Sequence, residues 1–166
     1  MNDIITYDDF FDLPEKTQIF ADMTKSGWKW GNGSYDVKRY PFWIFPLKDN
    51  PFYTGYLLDI IKEKTQQDYE LHDVYANGNT FGDQGDFHID MDTHRARTFL
   101  YYANNKWKPE YNGKTIFQLG EDNYHYYLPK GKDAILFPGN ITHMAEGCSR
   151  LFNGLRITVA WKLLLK

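Results

Sequence analysis

From Tyr69 onward, apolar and polar residues alternate with a period of two, and this alternation does not give way to a helical spacing. Period two marks strands with one buried face, because successive side chains point to opposite sides of the pleat. The runs that carry it are short: Glu70 to Tyr75, Asp86 to Asp90, Thr98 to Ala103, Thr115 to Leu119, Tyr124 to Leu128, Ala134 to Phe137 and Leu155 to Leu163. Clusters such as Asn77-Gly78-Asn79 and Pro129-Lys130-Gly131-Lys132 read as the turns between them. Many short strands with helices gathered at the N-terminal end predict two facing sheets, a mainly β (α+β) jelly roll.

The first 68 residues read as a support region for a core over 69–163. Ile4 to Tyr7 is a short strand. Asp12 followed by Leu13-Pro14-Glu15 reads as a helix start, with a capping carboxylate, a proline in the first turn and acidic charge at the positive end of the dipole. Ile19, Phe20 and Met23 continue at helical spacing, and Gly27 is placed to close the helix. Tyr35 to Leu47 is aromatic but broken by Pro41 and Pro46, which predicts an edge strand or a bent one. Asn50 and Pro51 then start a second helix, with Tyr53, Tyr56, Leu57, Ile60, Ile61 and Lys64 along one face.

A chain of 166 residues is the length of a single domain and can bury roughly two-thirds of its unfolded surface. A net charge of −3 with no basic run leaves no electrostatic footprint for nucleic acid. No apolar run approaches membrane-spanning length, so no membrane partner is expected. One cysteine, Cys148, cannot form an internal disulfide, and the N-terminus does not resemble a signal peptide. These features predict a cytoplasmic location.

The chemistry concentrates on Asp86-Phe87-His88-Ile89-Asp90. On a strand, His88 and Asp90 at i, i+2 share a face and can grip one ion. His143, after the Ala134 to Phe137 strand, is placed to complete a set of two imidazoles and one carboxylate. Such a set leaves half of an octahedral metal's positions open, as in the facial triad of non-haem Fe(II) oxygenases. A structural zinc site would want four closed ligands, usually with more cysteine than Cys148 alone. Among the other histidines, His72 and His125 lack a carboxylate two residues on. His94 with Asp92 has the spacing but falls in a loop before the next strand.

Several stretches together resemble the Fe(II)/2-oxoglutarate dioxygenases over residues 69 to 162. They are Tyr75, then His88-x-Asp90, Arg95 to Asn104, Gly113 to Phe117, His143 and Arg156. Within that family the chain is most similar to the prolyl-hydroxylase branch, including the hypoxia-factor prolyl hydroxylases and the prolyl 4-hydroxylases. The resemblance implies a double-stranded β-helix and Fe(II) on His88, Asp90 and His143. It implies 2-oxoglutarate and O2 as cosubstrates, with ascorbate as an optional addition, and hydroxylation of a C–H bond with release of succinate and CO2. The substrate implied is a prolyl or other protein side chain, with a small molecule as the second choice. Arg156 would bind the far carboxylate of 2-oxoglutarate with its planar fork. Thr158 and Ala160, on the same face, are small enough to line the pocket. Tyr102, sharing a face with Thr98 and Leu100, would donate to that carboxylate, and Tyr75 would contact the metal-side end.

The pattern also departs from the family. The hypoxia-type enzymes carry a tryptophan on the arginine's face of the last strand, whereas Trp161 lies an odd number of residues after Arg156 and should point away. Gly113-Lys114 stands where Gly-Gly is typical, and collagen-type enzymes have lysine at the position of Arg156. The rival reading from another class is a non-catalytic jelly-roll module that binds metal or carbohydrate. A cupin-type enzyme would call for His-x-His with a downstream glutamate.

Overall fold

The computed structural model describes residues 4–34 and 40–166. The chain enters as β1 (Ile5–Tyr7) and turns into α1 (Leu13–Met23). Asp12 sits at the N-cap position, but its side chain makes no capping hydrogen bond and lies instead 3.7 Å from the Lys64 ammonium. The helix closes on Thr24, whose hydroxyl donates to the Ala21 carbonyl, several residues before the expected stop at Gly27. Ile19 and Met23 are buried as expected, while Phe20 is largely exposed.

The second helix begins as read from the sequence, with Asn50 Oδ1 accepting the Phe52 amide at 3.0 Å. A π-helical turn over Phe52–Tyr56 then precedes α2 (Leu57–Thr65), and the Leu57 amide reaches the Phe52 carbonyl. The wider turn breaks the 3.6-residue phase. The buried face is therefore Tyr53, Leu57, Leu58 and Ile61, while Tyr56, expected on it, is 52% exposed and donates to Glu15 at 2.6 Å.

The remaining strands are β2 (Lys29–Asn32), β3 (Phe42–Pro46), β4 (Tyr69–Asn79), β5 (Ala96–Tyr102), β6 (Thr115–Gln118), β7 (Tyr124–Tyr127), β8 (Ala134–Pro138), β9 (Thr142–Ala145) and β10 (Arg156–Leu165). They form a seven-stranded sheet, β1-β8-β5-β10-β4-β3-β2, and a three-stranded sheet, β7-β6-β9. At this end of the sheet the edge is β2, because β3 starts after Pro41, ends on Pro46 and pairs with β2 on one side and β4 on the other. Of the stretch expected to form an edge strand, residues 35–39 lie outside the described residues.

Two cores sit on the two faces of the large sheet. On one, Phe99, Tyr101, Val159, Trp161 and Leu163 pack against Phe11, Ile19, Tyr53, Leu57 and Ile61 from the helical side. The Trp161 indole N–H donates to the Tyr53 carbonyl at 2.9 Å, so the largest buried ring has its polar end satisfied. A fully buried tryptophan of this kind contributes roughly 4–6 kcal/mol of apolar burial before its ordering cost. On the other face, Leu100, Tyr102, Ile135, Phe137 and Ala160 meet Phe117 and Tyr127 of the small sheet. The site is built between these two sheets, and among the described residues no helix is long and apolar enough to cross a membrane.

Two local expectations fail for instructive reasons. Asn77-Gly78-Asn79 is not a turn but the end of β4, paired with Thr158, Ile157 and Arg156. A Cβ at Gly78 would come within 2.8 Å of the Leu155 side chain, which would have to move aside. The run Asp86 to Asp90 is not a strand either, and it keeps only the bridge between His88 and His143. A continued ladder would use the Ile141 carbonyl, but that oxygen holds the His143 imidazole, as the Asp86 carbonyl holds that of His88. The Asp90 amide bonds to Gly139 instead, at 2.8 Å.

Candidate active site

His88 and His143 are fastened to each other through their backbones, with reciprocal amide–carbonyl bonds of 3.0 and 2.9 Å. Their ring centroids are 4.5 Å apart. Each Nδ1 lies 2.8 Å from a backbone carbonyl, which can only accept, so each Nδ1 carries a proton and each Nε2 faces inward. Asp90 stands between them, Oδ1 at 3.5 Å from His88 Nε2 and Oδ2 at 3.7 Å from His143 Nε2. The ligand atoms of His88, Asp90 and His143 all lie within 4.8 Å of one another. Two imidazole nitrogens and one carboxylate on one side of a point fit a first-row metal with open positions. His94 and Asp92 lie exposed in the turn before β5, and His72 and His125 are exposed, as their sequence context suggested.

Burial pushes the His143 imidazole down to about 4, against the opposing attraction of Asp90. The ring is therefore neutral and able to ligate across the neutral range. This has a consequence for stability in chelator-treated protein. Between the ordinary imidazole value of about 6.5 and about 4, the unfolded chain binds a proton at His143 that the folded chain refuses. Stability should thus fall as pH drops through that window. Thermal melts from pH 7 to pH 5 should show the decline, and His143→Gln should flatten it.

The pocket floor is a grid across β5, β10 and β4. Thr98 lies beside Lys162 and Lys162 beside Asp73; Leu100, Ala160 and Tyr75 form the next row, and Thr158 and Asn77 the third, with Tyr102 beside Thr158 but not lining the cavity. Arg156, opposite Asn79, closes the far end. A cavity of about 270 Å³ runs over this floor, lined by the triad together with Tyr75, Thr98, Thr158, Lys162 and Arg156. Trp161 takes the opposite face, as its odd spacing from Arg156 requires.

Arg156 is 1% exposed. Its Nε donates to the Gly113 carbonyl at 2.8 Å and its Nη1 to Asn79 Oδ1 at 3.4 Å, while Nη2 is buried with no hydrogen-bond partner among the described residues. Gly113 has φ +73° and leaves no room for a Cβ, which would sit 2.9 Å from Arg156 Cδ. The guanidinium lies 5.5 Å from the Tyr102 ring. Tyr102 itself is fully buried, stacked on Tyr127, and its hydroxyl is 2.6 Å from Thr115 Oγ1. It stands one step behind the cavity wall rather than in it, with Thr115 in front.

At the metal end, Asp90 Oδ2 is held by the Thr98 hydroxyl and by the Lys162 ammonium, the latter at 2.6 Å. Burial alone would raise the Asp90 carboxyl, but Lys162 and the two imidazoles more than offset it and hold it well below the usual carboxylate range. Lys162, Asn77, Asn79 and Thr115 were not singled out from the sequence. The signal for Lys162 was nevertheless present: it lies six residues after Arg156, so alternation puts a lysine on the same inward face.

By sequence, neither a protein-family model nor a curated protein matches the chain. Solved structures do match, over nearly its whole length. A Trichoplax adhaerens prolyl hydroxylase in complex with a hypoxia inducible factor peptide fragment superposes with a TM-score of 0.76 at 16% identity, covering 99% of this chain and 84% of that one. A Pseudomonas putida prolyl-4-hydroxylase gives 0.73 at 14% identity, covering 100% and 94%. HygX from Streptomyces hygroscopicus, with nickel and 2-oxoglutarate bound, gives 0.73 at 13% identity, covering 98% and 83%. The fold is that of the 2OG-Fe(II) oxygenases. At these identities the likeness speaks for the double-stranded β-helix, and the site must be argued from its own side chains.

Proposed function

We propose that this protein is an Fe(II)- and 2-oxoglutarate-dependent oxygenase that hydroxylates a C–H bond. The observation that carries the reading is Arg156: a buried guanidinium, held on two sides, with one N–H edge lacking a partner among the described residues, in the same cavity as His88, Asp90 and His143. A buried unpaired donor costs about 1–3 kcal/mol, more for a charged group, and a ligand carboxylate would relieve that cost. A 2-oxo acid with a second carboxylate suits a pocket that has an open metal at one end and a cation at the other.

In this reading His88, Asp90 and His143 hold Fe(II), which when bound supplies the coupling of dioxygen activation to decarboxylation of 2-oxoglutarate to succinate and CO2. The chain provides placement. Carbonyls of Asp86 and Ile141 fix both imidazole tautomers, Gly113 and Asn79 aim Arg156, and Thr158 borders the space where the acid would lie. Leu100, Phe137 and Ala160 keep the lining partly apolar, which limits water around the reacting atoms. The substrate class we favour is a prolyl or other protein side chain. Its support is the fold shared with a prolyl hydroxylase solved with a peptide.

The deciding measurement is calorimetric titration of 2-oxoglutarate into the anaerobic Mn(II) protein, followed by succinate release with Fe(II) and candidate peptides. Binding with turnover supports the oxygenase, whereas metal binding without any 2-oxoglutarate binding favours a non-catalytic module. The tyrosines provide a finer check. Tyr75→Phe and Tyr102→Phe should each raise the KM for 2-oxoglutarate roughly 2- to 10-fold, the equivalent of one hydrogen bond of about 0.5–1.5 kcal/mol. For Tyr102 the effect would pass through Thr115 and Arg156. Unchanged kinetics in both would return these residues to packing.

A further inference from the structure

Lys162 is 9% exposed, yet it lies on the pocket face of β10 and reaches Asp90 Oδ2 at 2.6 Å. The Tyr75 ring lies 5.7 Å from its ammonium, and Asp73 is its cross-strand neighbour on β4. The Asp73 carboxylate turns back to accept the Val74 amide at 2.9 Å, so the close ionic partner of Lys162 is Asp90. A divalent ion held by the triad would therefore share its one carboxylate with a fixed internal cation.

We propose that Lys162 is a positioning residue that tunes the charge of this site, lowering its affinity for the metal and raising its affinity for the anionic cosubstrate. The inference rests on the oxygenase reading above and deepens it. With Asp90 already neutralised by Lys162, the triad presents no net charge to an incoming divalent cation. Once loaded, the same group of charges is +2, where without the lysine it would be +1. The loaded pocket is then a stronger trap for a dianionic 2-oxo acid, and Arg156 adds a further positive charge at its other end. Posture and charge are separable here because Thr98 also donates to Asp90 Oδ2. Removing the ammonium leaves a hydroxyl to hold the carboxylate in place.

The test is Lys162→Met, an unbranched neutral side chain of similar length, with Lys162→Gln as a second neutral variant and Lys162→Arg as the charge-retaining one. Mn(II) binding to the chelator-stripped protein is measured by calorimetry, followed by 2-oxoglutarate binding to the Mn(II)-saturated protein. Both neutral variants should bind Mn(II) roughly tenfold more tightly and 2-oxoglutarate roughly tenfold more weakly, as expected for loss of one close charge in a partly screened interior. Lys162→Arg should move both values back toward wild type. A second readout is thermal: the metal-free neutral variants should melt lower, because Asp90 is left buried without its counter-ion, and Mn(II) should raise their Tm more than it raises that of wild type. The opposite signs distinguish charge tuning from damage, which would weaken both ligands together. Weaker or unchanged Mn(II) binding in the folded neutral variants overturns the proposal. Failure of the wild-type protein to bind Mn(II) or 2-oxoglutarate overturns the oxygenase reading itself, which a failed Lys162 series alone would leave standing.

Discussion

Asp90→Ala should abolish succinate formation from 2-oxoglutarate and leave the protein folded. Asp90 is the only carboxylate in the His88, Asp90, His143 cluster, and so its one anionic ligand for a divalent ion. Its side chain is 4% exposed and is surrounded by the Lys162 ammonium and two imidazoles. Deletion leaves two imidazoles facing the buried Lys162 ammonium with no anionic ligand, an arrangement that repels a metal rather than binding it. The expected loss is at least about a hundredfold in metal affinity, the upper end of what even an outer-shell partner is worth, with turnover falling to background. Backbone circular dichroism should be unchanged, since the Asp90 amide bonds to Gly139 whatever its side chain. His88→Ala and His143→Ala should behave alike. Succinate production by Asp90→Ala at the wild-type rate would remove the triad from the mechanism.

Arg156→Ala should weaken 2-oxoglutarate about 10- to 150-fold, the range set by losing a charge-assisted pair of roughly 1.5–3 kcal/mol. Metal affinity should be nearly unaffected, because Arg156 makes no contact with His88, Asp90 or His143 and its partners are Gly113 and Asn79. Arg156→Lys should fall between the two: the charge stays, but the fork that serves Gly113, Asn79 and a ligand at once is lost. The measurement is calorimetry of 2-oxoglutarate on the anaerobic Mn(II) protein. Equal affinity in wild type and Arg156→Ala would show that the buried guanidinium serves the fold alone. The contrast with Lys162 is informative, since both are buried cations on one strand face. Arg156 has an N–H edge in search of a partner, whereas Lys162 already has one in Asp90.

Alternation along the last strand was enough to place Arg156, Thr158 and Ala160 on one face and Trp161 on the other, because a strand of β10's length has only two faces to choose between. The jelly-roll architecture followed from the same period, repeated over many short runs. Spacing also brought His88 and Asp90 together, although the strand invoked for them does not exist. What survives there is one bridge to His143, with the next carbonyls diverted to the imidazoles. Local patterns misled where tertiary pairing overrode them. Asn77-Gly78-Asn79 carries turn residues, yet it is strand because Arg156, Ile157 and Thr158 lie alongside, with the Leu155 side chain packed close over Gly78. Tyr56 turned outward because a π-helical turn, invisible to a 3.6-residue count, changed the phase before α2. The pairing of Lys162 with Asp90 and the unpartnered edge of Arg156 belong to the tertiary structure alone. Alternation gives each residue a face, but which charges meet there depends on segments far apart in the chain, Lys162 on β10 with Asp90 between β4 and β5, and Arg156 with Asn79 and Gly113.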